Sequence, residues 1–182
     1  MSASAYLLRT MASVAPGTRV VDVAAGDGLH ADALARLGFD VWASAEDAAD
    51  VASARARLAD ALGDASEAER RVTRARPDAL GYPDAFAPWA VATLSTPDAL
   101  ADVFAEARRV LVPGGWLWTD LPGASPETTD LDDRLAQDRA AVAALADAAR
   151  AAGLAVASRP LVDEARGTVV AIFRRVDADT VG

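Results

Sequence analysis

Apolar positions along the chain alternate between two periods, and the alternation marks out the elements. Residues 19–23, Arg-Val-Val-Asp-Val, are a short β-branched run that reads as a buried strand. A glycine turn follows at 24–28. The spacing then predicts a helix from about 28 to 37, with Leu34 and Leu37 on one face and Gly38 as its stop. Residues 39–43 read as a second strand. Residues 46–62 read as a helix with Val51, Ala54, Leu58 and Leu62 at helical spacing, ended by Gly63. Residues 64–70 are expected to be a solvated connection. Residues 71–76 make a third strand, near an edge because Arg71, Arg74 and Arg76 crowd it. The apolar run 89–94 is a fourth strand, buried on both faces.

A helix is expected over 97–109, with Leu100, Val103, Phe104, Ala107 and Val110 on its inner side. Residues 112–115 then turn into a fifth strand at 116–121. A polar loop, 122–130, precedes the longest helix, 131–152. That helix has Leu131, Leu135, Val142, Leu145 and Ala149 facing in and Gly153 as its cap. Residues 154–158 and 168–174 are the last strands. Their connection is too short for a helix, so they should run antiparallel. A short helix at 3–13, with Leu7, Leu8 and Met11 as its stripe, opens the chain, and residues after 176 read as a loose tail. Strand–helix alternation repeated five times and closed by a hairpin predicts one α/β domain over 1–182. Its sheet should be doubly wound, mostly parallel, with an antiparallel C-terminal hairpin.

Composition narrows the chemistry. The chain has 182 residues and no cysteine, which excludes disulfides, thiolate catalysis and cysteine zinc sites. One histidine argues against a histidine-rich metal site. The formal net charge is −9, and all 18 basic residues are arginine. The absence of lysine excludes a Schiff base or a P-loop lysine. An acidic surface disfavours nucleic acid as a partner. No apolar run approaches the roughly 18 residues of a membrane span, and residues 1–13 lack the pattern of a signal peptide. No membrane partner and a cytoplasmic location are the resulting expectations.

The candidate chemistry centres on 20–34, VVDVAAGDGLHADAL. A strand that turns directly into a helix brings backbone close to whatever lies above the strand end, which calls for glycine. The helix start also presents free N–H groups to a polar ligand. Gly26-x-Gly28-x-x-Ala31, with Glu46 about 20 residues on, satisfies the dinucleotide fingerprint, so a nicotinamide cofactor stays open at this point. Asp22 inside the strand end, and the later segment Arg108-Arg-Val-Leu-Val-Pro-Gly-Gly-Trp-Leu, point elsewhere. Together DVAAGDG and RRVLVPGGWL resemble the first motif and the RVLKPGG hairpin of class I S-adenosylmethionine (SAM)-dependent methyltransferases. The resemblance covers nearly the whole chain.

This resemblance implies a strand order 3-2-1-4-5-7-6 and SAM as cofactor. It implies that Ala24, Gly26, Asp27 and Gly28 pass under the methionine and ribose portions. Asp22 would orient the turn and approach the cofactor's ammonium. The first glycine of D-x-G-x-G-x-G is Ala24 in this chain. The family's ribose-binding acid falls, without gaps, on Ala45. Glu46 follows directly, and it either takes that role through a one-residue shift or, with Asp47, opens the next helix. Asp78 and Ala79 match the adenine-side segment, and Leu94 ends the fourth strand beside it. The aspartate expected near 87 is Ala87.

His30, Asp98 and Asp120 are the candidate catalytic residues, with Ser95 and the 122–130 loop around a small-molecule acceptor. Each also has a plainer explanation. His30 can be a half-exposed helix residue, and Asp98 can cap a helix. Three functions follow: small-molecule methyl transfer, a SAM-fold protein impaired in turnover that acts as a weak binder or partner subunit, and a nicotinamide-binding domain. A homodimer could complete an open pocket.

Overall fold

The computed structural model describes residues 3–98, 100–125 and 127–176. Its first half follows the alternation closely. Helix α1 is Ala5–Met11, strand β1 is Arg19–Asp22, helix α2 is Leu29–Arg36 and strand β2 is Asp40–Ala45. Helix α3 is Ala48–Leu62, helix α4 is Ala65–Arg71 and strand β3 is Val72–Arg74. Strand β4 is Ala87–Thr93, helix α5 is Leu100–Val110 and strand β5 is Leu111–Pro122. Helix α6 is Leu131–Ala151, and strands β6 (Leu154–Val156), β7 (Leu161–Asp163) and β8 (Thr168–Arg175) finish the chain's described part.

The sheet order is β3-β2-β1-β4-β5-β8-β6, with β7 also pairing β8. The first five strands are parallel, and β8 runs antiparallel to β5, β6 and β7. This is the doubly wound sheet with an antiparallel edge. The short extra strand β7 makes the last strand the eighth instead of the seventh. β3 is an edge strand, as expected, but it spans only Val72–Arg74, because Arg71 closes α4 and Arg76 lies beyond the strand.

Period-two alternation assigns neighbouring residues to opposite faces. Val20, Val91 and Trp118 pack with α1, α2 and α3 through Leu7, Leu34 and Leu58. Val21, Ala90 and Leu117 pack with α5 and α6 through Phe104 and Leu145. Each fully buried leucine or phenylalanine contributes roughly 1.5–3 kcal/mol. Alanines at many of the remaining core positions let the layers sit close.

Four expectations change. Residues 64–70 belong mostly to α4, because Asp64 caps it by accepting from the Ser66 and Glu67 backbone N–H groups at 2.9 and 3.0 Å. Pro113-Gly114-Gly115 is not a turn that precedes a strand but lies within β5. Gly114 takes φ +74°, and the register against β4 slips between Ala87 and Trp89. Leu37 is 47% exposed, and the buried face of α2 is made by His30, Ala31, Leu34 and Ala35 instead. Leu131 and Leu135 are exposed too, the buried residues of α6 beginning only at Ala141. Residues 177–182, expected to be a loose tail, lie outside the described residues. Among those described, no helix is long and apolar enough to cross a membrane.

Gly28 precedes α2 at φ +84°, and a Cβ there would lie 2.6 Å from the Ala54 Cα of α3. Gly26, at φ +51°, has nothing within 4 Å of such a Cβ. The two glycines of one turn therefore serve different ends. Gly28→Ala should cost about 2–4 kcal/mol, combining left-handed strain with overpacking. Gly26→Ala should cost only the strain, about 1–2 kcal/mol. Urea denaturation of both variants checks the order, and equal losses would contradict the packing argument.

Candidate functional site

The carboxyl ends of β1, β2 and β4 open into a cleft, as expected for a doubly wound sheet. Its larger cavity is about 810 Å³ and is walled by Ala24, Ala25, Gly26 and Asp27 of the first turn. Ala45, Glu46, Asp47 and Asp50 line the β2 side, Arg74 and Pro77 the β3 side, and Thr93, Leu94 and Ser95 the β4 end. His30 and Arg166 reach in from α2 and from the β7–β8 turn. A second cavity of about 480 Å³ shares Ala24, Glu46, Pro77, Thr93, Leu94 and Ser95, and adds Asp78, Asp98 and Asp102.

The first turn is held by backbone. The Ala25 N–H donates to the Ser44 carbonyl at 2.9 Å, and the Gly28 N–H to the Ala25 carbonyl at 2.9 Å. Asp27 pairs with Arg57 at 3.1 Å and accepts the Leu29 N–H at 3.3 Å. Gly28 itself is absent from the cavity lining, its place being against α3. Just before the turn sits Asp22, 0% exposed, with neither carboxylate oxygen hydrogen-bonded. Burial pushes its carboxyl up to about 7, the nearby Ala24 backbone working the other way and the Asp120 charge adding to the rise. An unpaired buried carboxylate costs folding free energy; Asp22 lines neither cavity and lies directly behind the turn that walls the larger one.

At β2 the pairing with β1 is continuous from Asp40 to Ala43, without a bulge. Ala45 is the last strand residue and is buried at the cavity edge. Glu46 is exposed, lines both cavities and lies outside α3, whose cap is Asp47. Glu46 is thus a linker residue between strand and cap, free of any helical role. Ala87 is fully buried in β4.

Asp78 lines the second cavity and pairs with Arg76, whose Nε donates at 2.9 Å. Its segment is anchored where Leu80 N–H donates to the buried Glu106 carboxylate at 2.7 Å and where the Tyr82 hydroxyl donates to the Ala43 carbonyl at 3.0 Å. Ala79 is exposed and lines neither cavity.

The candidate catalytic residues are not brought together. His30 is buried, with both ring nitrogens engaged. Nε2 accepts the Ser4 N–H at 3.1 Å, which puts the ring proton on Nδ1, 3.1 Å from the Thr93 hydroxyl. Burial and the Arg166 charge lower its pKa to about 4, opposed by the Asp27 charge. Such a group ties α1 to the cleft and is poorly placed to take a proton. Asp98 is exposed in the second cavity. Asp120 is 1% exposed and lines neither cavity, with Arg166 3.4 Å from its Oδ2. Burial raises its carboxyl to about 6 against the pull of Arg166.

Thr93, Asp50, Arg74 and Arg166 are lining residues that sequence reasoning passed over. Arg166 comes from a hairpin turn remote in sequence, and no motif marks it.

No curated protein is significantly similar to the chain in sequence. Solved structures share its fold. Geranyl diphosphate C-methyltransferase from Streptomyces coelicolor A3(2) superposes with a TM-score of 0.69 at 17% identity, over 94% of this chain and 77% of that one. A SAM-dependent methyltransferase from Aquifex aeolicus gives 0.68 at 16% identity, over 94% and 88%. The cyclase SpnF gives 0.64 at 18% identity, over 94% and 80%. The fold therefore hosts more than one chemistry. The sequence profile described as "Methyltransferase domain" matches residues 21–119, more than half of the chain and the span from β1 to β5. The chain belongs to the methyltransferase-domain family, whose methyl donor is SAM.

Proposed function

We propose that this protein transfers a methyl group from SAM to a small-molecule acceptor. The observation that carries the reading is the Asp22 carboxylate, fully buried and unpaired immediately before the turn that lines the large cavity. A cationic ligand is what that position lacks, and the cofactor carries both an ammonium and a sulfonium. The lining acids Asp27, Glu46, Asp47 and Asp50 give the same half of the cleft a negative potential.

In this reading the Ala24–Asp27 backbone and Asp22 hold the amino-acid portion of the cofactor. Glu46 meets the ribose hydroxyls across the end of β2, and Asp78 with Leu94 flanks the base. When bound, SAM supplies a methyl group already activated on sulfur. The remaining task for the chain is placement: bringing an acceptor to the β4 end of the cavity, beside Thr93, Ser95 and His30, and excluding water. A free general base is required only for an acceptor that must lose a proton. The engaged nitrogens of His30 favour an acceptor that needs no such help.

A second reading, a SAM-fold binder without turnover, is favoured by Ala24 and Ala45, which stand where family glycine and acid are expected. Cofactor titration followed by turnover separates the two. Calorimetry with SAM, S-adenosylhomocysteine and NAD in parallel should give micromolar binding of the first two and none of the third. NAD binding alone would overturn the proposal. Release of S-adenosylhomocysteine with an acceptor panel distinguishes enzyme from binder.

Two variants test the assigned cofactor contacts. Ala45→Asp should tighten S-adenosylhomocysteine binding by about tenfold through carboxylate–hydroxyl bonds. No change would count against the alignment of Ala45 with the ribose acid.

Asp22→Asn should weaken SAM binding by at least about tenfold. It should also flatten the pH dependence of the unliganded protein. Below about pH 4 the folded and unfolded states both hold the Asp22 proton. As pH rises towards 7 the unfolded chain releases it first, so wild-type stability falls over this window. Chemical denaturation from pH 4 to 8 reads the slope, and parallel slopes for the two proteins would contradict a buried, cofactor-seeking Asp22.

A further inference from the structure

We propose that the contact between Ser4 and His30 is an acid-sensitive latch, in which the neutral imidazole ring holds α1 against the sheet beside the cleft and the protonated ring releases it. The inference goes beyond the methyl-transfer reading and does not depend on which acceptor the cleft takes.

The geometry sets the polarity of the latch. The Ser4 backbone N–H donates to His30 Nε2 at 3.1 Å, and both residues are buried. Nε2 can accept only while it carries no proton. The ring proton then sits on Nδ1, 3.1 Å from the Thr93 hydroxyl at the end of β4. One ring thus joins α1, α2 and β4. Among the described residues, the other hydrogen bonds of residues 4–14 stay within that segment. Besides the latch, α1 is seated by two buried side chains, Leu7 and Met11. His30 also lines the larger cavity, so lifting α1 would uncover that wall.

A proton on Nε2 would set N–H against N–H and break the contact. The surroundings give the resulting cation little in return. His30 lies in the first turn of α2, where the helix dipole opposes positive charge. The Arg166 charge, from the β7–β8 turn, opposes it too, whereas the Asp27 charge, from the glycine turn, favours it. Asp27 is itself paired with Arg57 at 3.1 Å. Asp120, in register with Thr93, and Asp22, in register with Val91, lie on the same sheet face. Burial raises these two carboxyls to about 6 and about 7, so both are largely neutral at about pH 5 and offer no counter-charge. From α1 the ring meets the Ser4 backbone, and from β5 it meets Trp118 edge-on with ring centres 5.8 Å apart. Docked, the ring is held down at about 4, against 6.5 for an ordinary histidine. As pH falls between those values the released state takes the proton first, so the released fraction rises by up to about tenfold per pH unit.

NMR titration of the full chain reads the latch directly, because His30 is the one histidine and its ring resonances are unique. In the wild type the ring should be the Nδ1–H tautomer and titrate at least about one pH unit below an ordinary histidine. Hydrogen exchange should show the protection of α1 amides falling relative to those of α5 as pH drops from about 6.5 to about 4.5, by up to about tenfold per unit. Ser4 has φ −62° and ψ 126°, so proline fits its backbone and removes the N–H together with the hydroxyl cap. Ser4→Pro should move the His30 midpoint up by at least about one pH unit and leave α1 unprotected at neutral pH. Ser4→Ala, which removes the cap and keeps the N–H, should leave the midpoint where it is in the wild type.

A wild-type midpoint at the ordinary histidine value, a constant ratio of α1 to α5 protection across the titration, or an unmoved midpoint in Ser4→Pro would each overturn the inference. So would a shift in Ser4→Ala as large as that in Ser4→Pro, since helix capping would then account for both. None of these readouts uses cofactor or acceptor, so each failure would leave the methyl-transfer reading standing.

Discussion

The contact between Gly28 and Ala54 governs the geometry of the cleft. α2 and α3 rise from neighbouring strands and cross with almost no space between backbones, since even one methyl group at Gly28 would strike the Ala54 Cα at 2.6 Å. Interiors close-packed in this way cannot absorb such an intrusion elastically. The start of α2 is consequently held against α3, and the turn before it stands as a fixed wall of the cavity. The left-handed φ of Gly26 then aims the same turn outward without crowding. Small side chains at these points are a condition for having a cleft at all.

Within that frame the polar groups are distributed by cost. Asp22 and Asp120 sit at the ends of adjacent regions of the sheet core with carboxyls pushed up by burial, and each raises a demand for positive charge. Asp120 meets its demand within the chain, through Arg166. Asp22 does not, because neither of its oxygens has a hydrogen-bond partner among the described residues. One buried acid is thus paired within the chain and the other is not. His30 belongs to the same economy of burial: its ring is kept neutral by desolvation, and its two nitrogens join α1 to β4 across the cleft.

Fold similarity extends to a cyclase as well as to methyltransferases, so architecture alone does not select the chemistry. The selection comes from the sequence span that matches the methyltransferase-domain family and from the acidic turn inside it. Arg166 and the β7–β8 hairpin lie outside that span, in the C-terminal third of the chain.

The sequence by itself determined the alternation of strands and helices, the antiparallel finish, and the place of the glycine turn at 24–28. These features rest on local periodicity, on glycine's access to left-handed backbone, and on chain connectivity. It also placed the third strand at a sheet edge, because cations cannot be buried on both sides, although of Arg71, Arg74 and Arg76 only Arg74 lies in that strand. It misjudged the 64–70 segment, where a single aspartate cap outweighs a polar composition. It misjudged the 113–115 glycines as well, where pairing with β4 absorbs a bend into β5. Tertiary structure alone decided that Gly28 serves helix packing, that His30 is spent on Ser4 and Thr93, and that Asp120 lies behind Arg166 instead of facing the cavity. Each of these depends on a partner 26 to 63 residues away in sequence, and a distance of that kind leaves no trace in local pattern.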